Sequence, residues 1–355
     1  MQSIYWVLTW ACHRKCVHCY DDRFRPYVRD DLVRVVGEGR AAHRRILAHL
    51  PDDMTWRNDA SGARERTVLV LAGGELLIDG VREELFHPVL RAVRERWGHA
   101  APKLSMQTTG DVLTGRNLDE MLALGVETVA VASVDDYHVG MQGERKFAFM
   151  DSVRALMASR GVGEVSLGMA ADARLKAPDP ARGATHAGPT FLFFGAQPDL
   201  WIGELWPRGR AFANGLGNAG YETNFCARWS GGKNFLRMGR AGSEVAIEPD
   251  GSVYPCCLKT KAPLGSLVEE RLEDILASVA TLPALQAIDR GDPEAMGLHD
   301  GWSRETFRER SAAVDGAGRR VANPCLGCDR YFEARLGAEL RRLRAERLAS
   351  RTSAS

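Results

Sequence analysis

The first two hundred residues alternate short runs of β-branched and aromatic residues with longer stretches whose apolar positions recur every three or four residues. That alternation predicts strands followed by helices packed on one side. Strands are predicted at Ile4–Thr9, Thr67–Ala72, Lys103–Thr109, Thr128–Ser133, Glu164–Ala170 and Thr190–Phe194, and helices at Asp31–Leu50, Val81–Trp97, Leu118–Leu124 and Lys146–Ser159. Repeated βα units imply a parallel sheet, as a partial (β/α)6 barrel or a doubly wound sheet, which spacing alone does not separate. Asp52–Arg66 is polar and is expected to be an inserted loop. Beyond Gly195 the pattern changes: glycine, tryptophan and arginine become frequent through Trp201–Trp229, and a hairpin is predicted at Glu244–Val253 around Pro249-Asp250-Gly251. A final amphipathic helix is predicted at Tyr331–Leu348, its seven arginines between residues 330 and 351 expected to form a solvated face. The domains expected are therefore 1–200, 201–330, and a C-terminal helix and tail at 331–355.

Charge and cysteine usage narrow the chemistry. Forty-seven Lys and Arg against 46 Asp and Glu leave a net charge of +1, without the basic excess of a nucleic-acid binder. No apolar run approaches the roughly 20 residues of a membrane-spanning helix, and the apolar start Ile4–Ala11 lacks the basic flank of a signal peptide. A cytoplasmic chain with reduced thiols is expected, acting on neither nucleic acid nor membrane. Eight cysteines in 355 residues, three near the start and five beyond residue 225, do not form a disulfide framework.

Cys12, Cys16 and Cys19 fall within eight residues, in a loop after the first strand. Three thiolates without an obvious fourth suit an iron-sulfur cluster that keeps one iron open. Zinc completed by His13 or His18, or simple burial, is the alternative. Val68–Ala72 ends in Gly73-Gly74-Glu75, where glycines let a ligand approach the backbone and a carboxylate or carbonyl can accept from an ammonium. Ser133 and Asp135 end the fourth strand and could bond sugar hydroxyls or cap a helix. Gln107, Thr108 and Thr109 end the third. A lone His138 is assigned no role.

In its Cys-x3-Cys-x2-Cys loop followed by aromatic Tyr20, and in its Gly-Gly-Glu strand end, the chain resembles the radical S-adenosylmethionine (radical SAM) family. The second cysteine set extends the resemblance. Gly209-Arg210-Ala211, the Ile247-Glu248-Pro249-Asp250-Gly251 turn with Cys256, Leu264-Gly265-Ser266-Leu267 and Cys325-x2-Cys328 are similar to the auxiliary-cluster extension called SPASM or, in its short form, twitch. No cysteine follows Cys328, which fits the short form with one extra cluster.

The resemblance implies a partial (β/α)6 barrel with a smaller, twitch-like hairpin-and-helix extension. It implies a 4Fe-4S cluster on Cys12, Cys16 and Cys19, and an auxiliary 4Fe-4S cluster on Cys226, Cys256, Cys325 and Cys328. S-adenosylmethionine would be bound by Tyr20, Gly73, Gly74, Glu75, Thr108, Ser133 and Asp135, with an electron donor such as flavodoxin or ferredoxin. Cleavage would yield a 5′-deoxyadenosyl radical that takes hydrogen from an unreactive carbon. Cys257 is left as an alternative ligand, as packing, or as a hydrogen donor to a substrate radical. Four thiolates including a Cys-x2-Cys pair also match structural zinc. The leading expectation is net oxidation of a small polar metabolite such as a sugar or aminocyclitol, favoured by the short extension and by the absence of a leader-binding module before Cys12. Modification of a ribosomal peptide or protein side chain comes next, then epimerisation through Cys257, then a non-enzymatic zinc or iron-sulfur protein. Trp201, Trp206, Arg208, Arg210 and Trp229 are candidates for the pocket between barrel and extension.

Overall fold

A computed structural model describes residues 1–165, 188–196, 203–228 and 232–352. Its strands are β1 (Ser3–Val7), β2 (Thr55–Arg57), β3 (Arg64–Arg66), β4 (Val68–Ala72), β5 (Lys103–Thr108), β6 (Val126–Val131), β7 (Gly163–Glu164), β8 (Thr190–Phe193), β9 (Glu244–Ile247), β10 (Ser252–Tyr254), β11 (Gly265–Ser266), β12 (Ala312–Val314) and β13 (Arg320–Ala322). Nine of them form one open sheet in the order β11-β10-β9-β1-β4-β5-β6-β8-β7. The run from β9 to β7 is parallel, and β10 and β11 are antiparallel additions. This is the α/β architecture of a partial barrel with an extension.

Alternation along the strands separates two faces. Ile4, Trp6, Leu69, Leu71, Leu104 and Met106 are buried in the main core, while Tyr5, Val70 and Gln107 line a cavity. Helices cover the first face. Arg29–His49 buries Val35, Val36, Gly39, Ala42, His43, Ile46 and Leu47 at helical spacing. It comes so close to β1 that a Cβ on Gly39 would lie 2.3 Å from the Leu8 carbonyl oxygen. Helix Gly115–Ala123 starts with a reciprocal cap in which Thr114 accepts from the Asn117 amide and Asn117 accepts from the Thr114 amide at 2.8 Å.

Four expectations are revised. The polar Asp52–Arg66 segment is the β2–β3 hairpin, because Asn58 accepts from the Ala60 and Ser61 amides and Gly62 takes a left-handed φ of 70° to close the turn. Among the described residues β8 sits between β6 and β7, so sheet order departs from chain order; of the strand expected at Glu164–Ala170, residues 166–170 lie outside the described residues. The boundary near residue 200 does not divide the sheet: fully buried β9 pairs parallel with β1, Ser3 opposite Glu244 through Trp6 opposite Ile247. The boundary at 330–331 falls inside a helical run at 324–352 that contains a π turn, Phe332–Leu336.

The arginine face of that last helix is not wholly solvated. Arg347 turns inward to buried Glu270, with Nε to Oε2 at 2.8 Å, and also reaches Ser278 Oγ at 2.6 Å and the Leu264 carbonyl at 3.2 Å. A buried acid on the neighbouring element captures it.

Candidate active site

The C-terminal ends of β1, β4, β5, β6 and β8 gather around a cavity of about 350 Å³. The Gly73-Gly74-Glu75 segment is zipped onto the residues after β1: the Gly74 amide donates to the Thr9 carbonyl at 3.1 Å and the Glu75 amide to the Ala11 carbonyl at 2.9 Å. A Cβ on Gly74 would lie 2.1 Å from Ala11 O and 2.7 Å from Cys12 Cβ, so only glycine fits against the cysteine loop.

Cys12, Cys16, Cys19 and Tyr20 all line the cavity, as do Gly73 and Gly74. Burial pushes the Cys12 thiol up to about 12 and Cys16 to about 11, and raises Cys19. Bound iron would supply the charge that makes such buried thiols thiolates. The loop is clasped by Arg210, whose Nε donates to Cys16 O at 2.7 Å, Nη1 to Asp22 O at 3.1 Å and Nη2 to Phe24 O at 2.6 Å, while its amide donates to Cys19 O at 2.8 Å. Gly209 permits this approach: φ is 50°, and a Cβ would lie 2.5 Å from the Tyr20 carbonyl. The sequence offers Arg210 as part of the Gly209-Arg210-Ala211 marker and as a pocket candidate, but not as a clasp of the cysteine loop. His13 Nε2 meets Asp111 Oδ2 at 2.9 Å, outside the cavity wall.

The remaining predicted ligand residues divide. Glu75 is fully buried, and its carboxylate, raised by burial, accepts from the Leu77 amide at 3.0 Å, the Thr109 amide at 2.7 Å and the Thr108 and Thr109 hydroxyls. It ties β4 to β5 and does not line the cavity. Thr108 lines the cavity with its hydroxyl committed to Glu75. Ser133 donates to the Thr109 carbonyl at 2.6 Å and is not in the cavity wall. Asp135 is: its Oδ1 accepts from the Tyr137 amide at 2.9 Å, the His138 amide at 3.0 Å and His138 Nδ1 at 2.9 Å, and its Oδ2 from the Ala196 amide at 3.2 Å. Burial alone would push its pKa up, but His138 holds it well below the usual carboxylate range. Ligand atoms of His18, Asp135 and His138 lie within 4.8 Å of one another. His18, lowered to about 4 by burial and then by His138, stays neutral, and its buried Nδ1 has no hydrogen-bond partner. From sequence, His18 enters only as an alternative zinc ligand beside the cysteines and His138 has no role.

Four of the other five cysteines form a second group. Cys325 and Cys328 stand one turn apart on helix Pro324–Tyr331, capped by Asn323, which accepts from the Cys325 amide at 2.9 Å. Cys226 lies on the turn Phe225–Arg228, against Gly232, whose Cβ would lie 2.9 Å from the Cys226 sulfur. Cys256 follows β10. Burial raises Cys226 and Cys328, Cys256 to about 12 and Cys325 to about 11; Cys226, Cys256 and Cys328 are raised further by other members of the group, while Arg208 opposes the rise at Cys325. Cys226, Cys256, Cys325 and Cys328, coupled electrostatically and with Arg208 beside them, offer the four thiol donors that an iron-sulfur cluster takes. Cys257 turns the other way, into the cavity wall with Tyr5, Gln107 and Glu244. Burial and then Glu244 hold its thiol well above its usual range.

Of the junction candidates, Trp206 and Arg210 line the cavity, Arg208 pairs with Asp329 beside Cys328, and Trp201 and Trp229 lie outside the described residues.

Residues 240–295 match the family model of SPASM, an iron-sulfur cluster-binding domain. Among solved structures the chain is similar to BtrN in complex with AdoMet and 2-DOIA (13% identity, 86% of this chain and 92% of that chain, TM-score 0.42). It is also similar to anSMEcpe with bound AdoMet and Kp18Cys peptide (13% identity, 97% and 99%, TM-score 0.41) and to Streptococcus suis SuiB bound to S-adenosylmethionine (11% identity, 86% and 75%, TM-score 0.39). A search of curated protein sequences returns no match. The matched segment spans Cys256 and Cys257.

Proposed function

We propose that this chain is a radical SAM enzyme that oxidises an unactivated C–H position of a small polar metabolite, with Cys12, Cys16 and Cys19 holding the catalytic cluster and Cys226, Cys256, Cys325 and Cys328 an auxiliary one. The observation that carries the reading is a single cavity whose wall includes the first cysteine loop, the Gly73-Gly74 strand end, Asp135 and Cys257, with the second thiol group behind it. When bound, the clusters and S-adenosylmethionine supply one-electron cleavage, hydrogen abstraction and an electron acceptor. The chain's own residues position and shield. Gly73 and Gly74 let a ligand's amino-acid moiety reach backbone, and Asp135 presents a fixed carboxylate to hydroxyl groups. Tyr5, Gln107 and Glu244 form a polar floor, with Tyr5 donating to Gln107 Oε1 at 3.0 Å. Hydroxyl or amino groups on a compact substrate suit that floor, while Leu205, Trp206, Phe225 and Leu258 keep water out.

A second reading, inversion of a carbon centre without net oxidation, is supported by the Cys257 thiol, which stands in the cavity wall apart from the other four and is kept protonated. Anaerobic reconstitution is expected to give about eight irons per chain, from two cubane clusters; zinc without iron would sink the enzyme reading. Cys12→Ala is expected to abolish 5′-deoxyadenosine formation, measured chromatographically, and persistence of that product would remove the first loop from the mechanism. Cys257→Ser separates the two readings: oxidation survives it, whereas inversion stops with hydrogen abstraction intact.

A further inference from the structure

Arg208 stands at the second thiol group and is almost wholly buried. Its Nη2 meets Asp329 Oδ1 at 2.8 Å, and the two side chains are only 13% and 12% exposed. Asp329 follows Cys328 directly on helix Pro324–Tyr331, so the helix that presents two of the four thiols also presents the acid. Trp206, two residues before Arg208, packs with Cys256 and Cys325 and stacks edge-on against Phe225 at 5.4 Å, next to Cys226. A buried cation and a buried anion thus stand beside one set of sulfurs, in surroundings that screen charge poorly.

A cluster gains negative charge on reduction, so a fixed positive charge beside its sulfurs raises its electron affinity and a fixed negative charge lowers it. We propose that the Arg208–Asp329 pair sets the reduction potential of the auxiliary cluster, Arg208 drawing it up and Asp329 drawing it down. Arg208 is a tuning residue that lies outside the cavity wall. The inference rests on the auxiliary-cluster reading above and adds to it a device for choosing how readily that cluster takes an electron.

The test is a redox titration of the anaerobically reconstituted full-length chain, followed by electron paramagnetic resonance, with Cys12→Ala/Cys16→Ala/Cys19→Ala protein used to isolate the auxiliary signal. Arg208→Gln is expected to shift the midpoint potential negative, Asp329→Asn to shift it positive, and Arg208→Lys, which keeps the charge, to leave most of it in place. Opposite signs are the signature, because general loosening of the site would move both variants the same way. Unchanged potentials, or shifts of one sign, with the cluster intact would overturn the proposal. If Arg208→Gln fails to hold iron, the lysine and asparagine variants decide by the same signs. About four irons in the unmodified chain, with only the first-loop signal, would instead defeat the auxiliary-cluster reading, and this inference with it.

Discussion

Single side chains carry the site where their spacing is local. Cys12, Cys16 and Cys19, and the glycines at 73 and 74, could be picked out because the geometry they serve is written within a few residues. The partners of Glu75 and Ser133 were not legible, because they come from neighbouring strands: Glu75 is taken up by Thr108 and Thr109 on the next strand end, and Ser133 by the Thr109 carbonyl. Arg210 was opaque for the same reason, since the carbonyls it clasps lie between 186 and 194 residues earlier. The glycines give a direct check at this scale. Gly74→Ala forces a Cβ into the Ala11 backbone and is expected to cost roughly 1–3 kcal/mol, as overpacking does, and to weaken S-adenosylmethionine binding. Gly80→Ala, where nothing lies within 4 Å, is expected to be neutral or to stabilise by up to ~1 kcal/mol. Thermal unfolding and isothermal titration of the two variants measure the contrast.

Most of the described barrel strands and helices lie near where the sequence pattern put them, the Asp52–Arg66 hairpin excepted, but their partners were less legible. The Pro249-Asp250-Gly251 turn makes its hairpin with Gly251 at φ 85°, yet nothing local signals that β9 will lie along β1. Long-range parallel pairing leaves no periodicity to read. What holds these elements together is a charged knot. Lys259 Nζ lies 3.1 Å from both Asp21 and Glu248, and Arg23 reaches the same two acids at 2.7 and 2.6 Å while stacking 3.6 Å over Trp10. The knot joins the first cysteine loop to the hairpin of the extension. Lys259→Met leaves two buried acids sharing one arginine and is expected to cost roughly 3–5 kcal/mol, seen as a lower urea midpoint, with iron lost from the first loop.

For the whole molecule, the buried acids set the response to pH. Burial would raise Asp21, Asp111 and Asp135, but Arg23 and Lys259, His13 and Arg14, and His138 respectively hold them well below the usual carboxylate range. Below about pH 4 the unfolded chain therefore binds more protons than the folded one, and stability falls as pH falls. Glu75 and Glu244 are raised by burial, so their contribution has the opposite sign, stabilising the folded chain as pH falls through their range and offsetting part of the loss. Urea midpoints at pH 5, 4 and 3 are expected to decline steeply over the last step, and Asp21→Asn is expected to flatten that decline.

The single sheet also sets a timetable. β1, which leads into the Cys12 loop, has β9 as its neighbour on one side, 241 residues later in the chain. At about 5–20 residues per second of synthesis, that neighbour emerges roughly 10–50 s after β1. The arginine clasp at residue 210 and the lysine knot at residue 259 arrive in the same late interval. Until then the first cysteine loop is held by the Gly73-Gly74-Glu75 segment without its arginine clasp or its lysine knot, so under the proposed function a cluster on this loop is expected to be retained only once the sheet is complete.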